Sequence, residues 1–218
     1  MLAETDDAEV VMARIQPVPR EELPEFEDYF KEIEQLAGYL PNAFLTVAHQ
    51  PALLRGLQAL SAALRSLNSV DTGLKVLMSH LASSAVGCRF CEAHTSKTAT
   101  TNGVAAAKIT SIWEFETSDL FSDAERAALR LALAMGQSPN AVTDQHFSDL
   151  REYFDDAQIV EMIAAVCNFG FWNRWNDTVA TDLEQPVYEL ANALLSPRGW
   201  TAAKHLPHST EPSAVHSG

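Results

Sequence analysis

Along most of this chain apolar residues recur at intervals of three and four. That is the spacing at which α-helical side chains return to one face, and it leaves little room for a sheet. Leu53, Leu54, Leu57 and Leu60 make one stripe, and Leu74, Leu77, Met78 and Leu81 a second. Ala128, Leu129, Leu131 and Ala132 make a third, and Ile159, Met162, Ile163 and Val166 a fourth. Strand-like alternation is nearly absent. Start signals agree with the stripes: Ser122-Asp-Ala-Glu125 reads as a capping box and Asp155-Asp-Ala-Gln158 as a close variant, while Gly103 suits a helix stop. The expected fold class is all-α.

The chain has 218 residues, enough for one domain with a sizeable core. A single helical domain is expected over residues 13–196, between flexible ends at 1–12 and 197–218. The first end is acidic and polar, and the second mixes Pro, Ser, His and Gly without periodicity. His205, His208 and His216 fall in that second end, read as solvated, and stay outside the expected site. A formal net charge of -14 argues against nucleic acid and anionic membrane as partners. The opening Met1-Leu-Ala-Glu-Thr-Asp-Asp7 has neither the basic start nor the apolar stretch of a signal peptide, and no apolar run is long enough to span a bilayer. A cytoplasmic protein is expected.

Two of the three cysteines lie in the run Ala85-Val-Gly-Cys-Arg-Phe-Cys-Glu-Ala-His94. Thiols three positions apart can close a disulfide without large backbone movement, and a thiolate at a helix start is stabilised by exposed N–H groups and the helix dipole. Attachment of a c-type haem would need His directly after the second Cys, where Glu92 stands. Structural zinc would need further ligands, and Cys167 and His80 are the only obvious candidates, neither in a knuckle of its own. A static disulfide would be left open in a reducing compartment. The pair Cys88 and Cys91 is therefore read as a redox centre needing no metal or cofactor, and Cys167 as a buried, inert thiol in an apolar run.

Sliding the chain by 85 positions lays Asp71-Thr-Gly-Leu-Lys-Val-Leu-Met over Asp156-Ala-Gln-Ile-Val-Glu-Met-Ile, and Cys88-Arg-Phe-Cys-Glu92 over Asn173-Arg-Trp-Asn-Asp177. Segments 71–101 and 156–186 are expected to superpose as two helical units. Asn cannot do thiol chemistry, so the second unit should complete the scaffold and line the cleft. Glu161 is expected to form a structural ion pair, with Arg174 as a candidate partner, or to reach the cleft. Phe169, Trp172 and Trp175 form an aromatic patch of the kind found in cores or oligomer interfaces.

At these residues the chain resembles the carboxymuconolactone decarboxylase superfamily, and within it the alkylhydroperoxidase D-like branch marked by a Cys-x-x-Cys helix. The resemblance runs from Leu40-Pro-Asn-Ala-Phe44 and His49-Gln-Pro-Ala-Leu53, through Gly87-Cys-Arg-Phe-Cys-Glu-Ala-His-Thr95, to Phe171-Trp-Asn-Arg-Trp-Asn-Asp177. It implies an all-helical fold with repeated units, a homo-oligomer (trimer or hexamer), and reduction of hydroperoxides through a dithiol/disulfide cycle fed by a separate thiol reductant. The branch also has a Glu twelve positions before the first Cys, a His between the cysteines and a His four after the second. Here those positions hold Val76, Phe90 and Thr95.

His94, three after the second Cys, projects to the same helix face and is the expected proton donor, with His80 a candidate helper. The resemblance, not the spacing, makes Cys91 the attacking thiol and Cys88 the one that closes the disulfide. Two other readings stay open: a lyase or isomerase acting on a carboxylated ring or enone with His94 as general base, and a non-catalytic redox-sensing oligomer.

Overall fold

The computed structural model describes residues 13–207, so the ends 1–12 and 208–218, with His208 and His216, lie outside the described residues. Among the described residues there is no strand. The α-helices are α1 (Glu27–Ala37), α2 (Asn42–Val47), α3 (Pro51–Ser66), α4 (Thr72–Ala85), α5 (Arg89–Thr101), α6 (Ala106–Thr110), α7 (Asp123–Met135), α8 (Asp144–Leu150), α9 (Asp156–Val179) and α10 (Gln185–Leu195). The capping boxes at Ser122 and Asp155 form as the sequence indicates, and α5 stops just before Gly103, whose φ is +78°. No helix is long and apolar enough to cross a membrane among the described residues.

Helix α4 is the axis of the molecule. Every residue from Gly73 to Ser83 is buried, because α5, α7 and α9 pack around it. Helix α7 comes so close that a Cβ at Gly136 would stand 2.9 Å from the Ala82 carbonyl oxygen. The patch Phe169-Trp172-Trp175 goes partly into this core: Trp172 packs edge-on to Phe44 at 5.4 Å, and the Trp175 indole N–H donates to Thr46 Oγ1 at 3.1 Å.

Between α4 and α5 the chain makes a left-handed turn at Gly87, φ +77°. The Gly87 N–H donates to Ser84 O (3.0 Å) and the Cys88 N–H to Ser83 O (3.1 Å), the bond pair of a Schellman motif that satisfies the last carbonyls of α4. A side chain here clashes with the following carbonyl. Gly87→Ala is expected to cost about 1–2 kcal/mol and to lower the melting temperature by roughly 2–8 °C. Thermal unfolding followed by circular dichroism checks this, and an unchanged midpoint would refute it.

That turn also separates the two segments related by the 85-residue offset. The first is two helices broken at Val86-Gly87-Cys88, whereas the second runs unbroken in α9 from Asp156 to Val179. Cys88 is thus an N-cap, while Asn173 sits inside a helix. Both segments are helical, but a glycine-driven break in only one of them puts the cysteine pair and the asparagine pair in different local settings.

After α10, short 3-10 turns at Ser196–Arg198 and Ala203–His205 bring the chain back onto the core. The Leu183 N–H donates to His205 O at 3.0 Å, and Trp200, Ala202 and His205 are all buried. Residues 197–207 are therefore packed, in contrast to the loose end expected from their composition. A short segment without periodicity can still be fixed by one large apolar side chain such as Trp200.

Candidate active site

The break at Gly87 leaves Cys88 as the N-cap of α5. Its sulfur accepts the Cys91 backbone N–H at 3.5 Å, so Cys88 satisfies one of the unpaired N–H groups at the helix start. Cys91 lies one turn further along the helix and is equally buried, and the Asn176 side-chain amide donates to its sulfur at 3.8 Å. Both thiols are free. A hydrogen bond from the Cys91 side chain, together with the Cys91 backbone N–H, holds the Cys88 thiol below the ordinary range in spite of its burial. Burial, and then the neighbouring Cys88 sulfur, push Cys91 well above it. Of the two, Cys88 is the thiol whose surroundings favour the thiolate more.

Cys88 also lines a cavity of about 570 Å³ between the ends of α4, α7 and α9, whose walls include Gly136, Asn173 and Arg174. Cys167, expected to be buried and inert, is exposed and lines the same cavity. Most of its neighbours in sequence are apolar, but Cys167 itself is exposed on α9.

His94 is buried on α5, stacked on Phe90 with ring centroids 4.2 Å apart. The Tyr39 hydroxyl lies 3.1 Å from Nδ1. Glu184, the N-cap of α10, places Oε2 2.8 Å from Nε2, a close charge contact rather than a well-aligned hydrogen bond. Burial, and then the Glu184 charge, raise the Tyr39 phenol, so it stays protonated. Both imidazole nitrogens are thus engaged, and neither partner is a thiol. Phe90 fills the position between the cysteines by stacking under His94, which also brings it 5.8 Å from the buried His205 ring. His205 Nδ1–H donates to Thr181 O at 2.7 Å. This histidine belongs to the packing around the site, not to a solvated tail.

His80 is completely buried on α4, and burial pushes its pKa down to about 4. The Thr95 hydroxyl donates to Cys91 O at 2.7 Å, which leaves its oxygen to accept from His80 Nδ1 at 2.8 Å. His80 is therefore neutral near pH 7 and, through Thr95, ties α4 to α5. The unfolded chain binds a proton at this side chain near the ordinary value of 6.5, and the folded one only near 4. The stability this histidine contributes is complete above the unfolded pKa and lost as pH falls from about 6.5 to 4. Melting midpoints should drop across that window, and His80→Gln should flatten the drop. An equal drop in both proteins would refute the assignment.

Val76 lines a second cavity, of about 510 Å³, together with Tyr39, Lys75 and Glu161. Glu161 pairs with Lys75 and accepts from the Ser69 backbone and hydroxyl, while the Lys75 ammonium also donates to Leu67 O at 2.8 Å. The structural ion pair expected for Glu161 is there, but with Lys75 from the neighbouring helix. Arg174 is a residue out of reach and makes only a 3.5 Å bond to Gly170 O.

Tyr39, Glu184 and His205 were not legible in the sequence as site residues, whereas Asn176 belongs to the second unit expected to line the cleft. Glu184 stands just before Pro186 at a helix start, which marks a cap but gives no hint that its carboxylate meets His94.

The carboxymuconolactone decarboxylase family model matches residues 51–134, which span α3 to α7 and contain the cysteine pair. The debrominase Bmp8 has the same fold, with a TM-score of 0.77 and 33% identity over 83% of this chain and 97% of its own. The chain belongs to the carboxymuconolactone decarboxylase family. An alanine variant of Bmp8 in complex with 2,3,4-tribromopyrrole matches with a TM-score of 0.79 and 31% identity, covering 85% of this chain and 100% of its own.

The AhpD core protein of Ralstonia eutropha JMP134 shares the fold with a TM-score of 0.72 at 23% identity, over 80% of this chain and 94% of its own. YdfG of Bacillus subtilis (strain 168) is 28% identical over 109 residues, 49% of this chain and 74% of its own length. Within this family the present chain combines an AhpD-like helical fold with the Cys-x-x-Cys pair at Cys88 and Cys91.

Proposed function

We propose that this family member is a thiol-dependent oxidoreductase that reduces hydroperoxides through a Cys88/Cys91 dithiol–disulfide cycle. The observation that carries this reading is the pair of free thiols at the start of α5, with the Cys91 N–H donated to the Cys88 sulfur and Cys88 among the residues that line a cavity. Cys88 is the attacking thiolate and Cys91 the resolving thiol, the reverse of the order implied by family resemblance, because the residue whose thiol is held low is also the one that lines the cavity.

The electrons and protons balance along this path. The Cys88 thiolate attacks the distal peroxide oxygen, forming a sulfur–oxygen bond and breaking the oxygen–oxygen bond. The Cys91 S–H gives its proton to the departing alkoxide, so the alcohol leaves neutral. The new Cys91 thiolate then attacks the Cys88 sulfenic acid, closing the disulfide and releasing hydroxide, which His94 or water protonates. An external dithiol reopens the bond. His94, held between Tyr39 and Glu184, acts at this second proton transfer, and His94→Asn should lower turnover by about 10²-fold. Unchanged turnover would remove it from the mechanism.

The test is dithiothreitol-driven consumption of cumene hydroperoxide, in which one dithiol should be oxidised per peroxide lost. Similarity to Bmp8 favours a second reading: a brominated aromatic ring as electrophile, with the same pair supplying two electrons. Bromide release from a bromopyrrole under the same dithiothreitol conditions, without peroxide consumption, would select it.

A further inference from the structure

The wall of the Cys88 cavity carries a feature that the redox cycle does not use. Arg174 lies on α9 with its side chain exposed, lines the cavity, and has no carboxylate within ion-pair distance among the described residues. Several other cations packed against the helices are matched: Lys75 with Glu161, Arg89 with Glu92, Lys108 with Glu125, and Arg126 with Asp123. Asp177, one turn along α9 and in the same wall, is taken by Lys204 at 2.8 Å. In a chain of net charge -14, a cation without a carboxylate in the wall that also includes Cys88 stands out from the surrounding field.

A second observation points the same way. Asn173 lines this cavity and is 5% exposed, yet its side-chain oxygen has no hydrogen-bond partner. A buried acceptor without a donor costs free energy, and a ligand bearing an O–H or N–H would supply one. The cavity, at about 570 Å³, is far larger than hydrogen peroxide requires and is of the size that holds small organic molecules.

We propose that the Cys88 cavity selects anionic organic substrates, with Arg174 holding a carboxylate at one end of the molecule while Asn173 accepts a hydrogen bond and Cys88 meets the electrophilic atom. The preferred hydroperoxide is therefore an acid of ring or short-chain size and not hydrogen peroxide. This deepens the redox reading above and rests on it for the identity of the reaction.

The recognition step can be read without that reaction. Iodoacetate and iodoacetamide alkylate a thiolate identically, with a sulfur–carbon bond formed and iodide released, and differ in one carboxylate. Rates at Cys88 are measured on the reduced full chain by peptide-resolved mass spectrometry, which separates Cys88 from Cys91 and Cys167. The ratio of iodoacetate to iodoacetamide rates, each divided by that for free cysteine, should exceed one in the wild type. It should fall by about threefold to tenfold in Arg174→Gln, invert further in Arg174→Glu, and be partly kept in Arg174→Lys. Salt should erode the wild-type preference.

A wild-type ratio at or below that of free cysteine, or one untouched by Arg174→Gln, overturns the proposal. Labelling of Cys91 in place of Cys88 overturns it too. In turnover, a carboxylated cumene hydroperoxide should show a lower KM than the unsubstituted one, and Arg174→Gln should remove that difference. If no peroxide is consumed, the redox reading fails on its own, and the alkylation ratio still decides whether the cavity is an anion site.

Discussion

Cys88→Ser is expected to lower dithiothreitol-driven peroxide turnover by at least about 10³-fold, because it removes the atom that forms the bond to oxygen. Cys91→Ser should behave differently. It keeps the attacking sulfur, so one equivalent of peroxide is still consumed, and the cycle then stalls with a sulfenic acid on Cys88 that dimedone traps. The contrast follows from the local geometry: Cys88 caps α5 and receives the Cys91 N–H, whereas Cys91 is the donor in that pair and sits against Asn176 away from the cavity.

Removing the Cys91 side chain also withdraws the hydrogen bond that contributes most to holding Cys88 low. The alkylation pH profile of Cys88 should therefore move to higher pH in Cys91→Ala. If dimedone instead labels Cys91 in the Cys88→Ser protein, the order is reversed, and the attacking residue is the one the family resemblance implies.

The largest stability effect is expected away from the thiols, at the ion pair of Lys75 and Glu161. Their side chains are 11% and 4% exposed, and Glu161 also holds the start of α4 through the Ser69 and Val70 N–H groups. Glu161→Ala leaves the Lys75 ammonium buried without its counter-charge, a change that costs about 3–5 kcal/mol. For a domain of this size that corresponds to roughly 10 °C in melting temperature. Replacing both partners by apolar residues, as in Lys75→Met with Glu161→Leu, should recover most of the loss, since no orphaned charge remains. A double variant as unstable as Glu161→Ala would show that the pair contributes attraction and is not merely compensated burial.

The pair also responds to acid. Burial raises the Glu161 carboxyl, but hydrogen bonds from Lys75 and Ser69 outweigh it and leave the group below the ordinary carboxylate range. Its contribution is therefore present above the unfolded carboxylate value and lost as pH falls through the lower, folded one. That loss begins at the ordinary carboxylate value of 4.5, at the acid end of the window in which His80 acts, so the fall in stability should continue below that window.

Much of the fold was legible because helical periodicity and capping are local. The stripe at Leu74, Leu77, Met78 and Leu81 becomes the buried axis α4, and Ser122 and Asp155 cap the helices they precede. A glycine one residue before Cys88 was visible too, and it is this residue that breaks the chain and puts the thiol at a helix start. The environment of the thiols was less legible. Cys167 stands among apolar neighbours yet is exposed, because burial depends on which face of α9 turns to α4 and not on the neighbours in sequence.

What the sequence by itself determined, then, is the helical class, the two thiols one turn apart and the residues Val76, Phe90 and Thr95 that stand where relatives carry proton-handling groups. Those are matters of spacing along the chain. The tertiary structure alone brought Tyr39 and Glu184 to His94, buried His80 against Thr95, and set Arg174 without a carboxylate, among the described residues, in the cavity wall that includes Cys88. Each of these depends on groups separated by 55 to 90 residues, or on how deeply a side chain is removed from water. Electrostatic energies vary with distance and burial in three dimensions, and neither quantity is encoded in the local pattern.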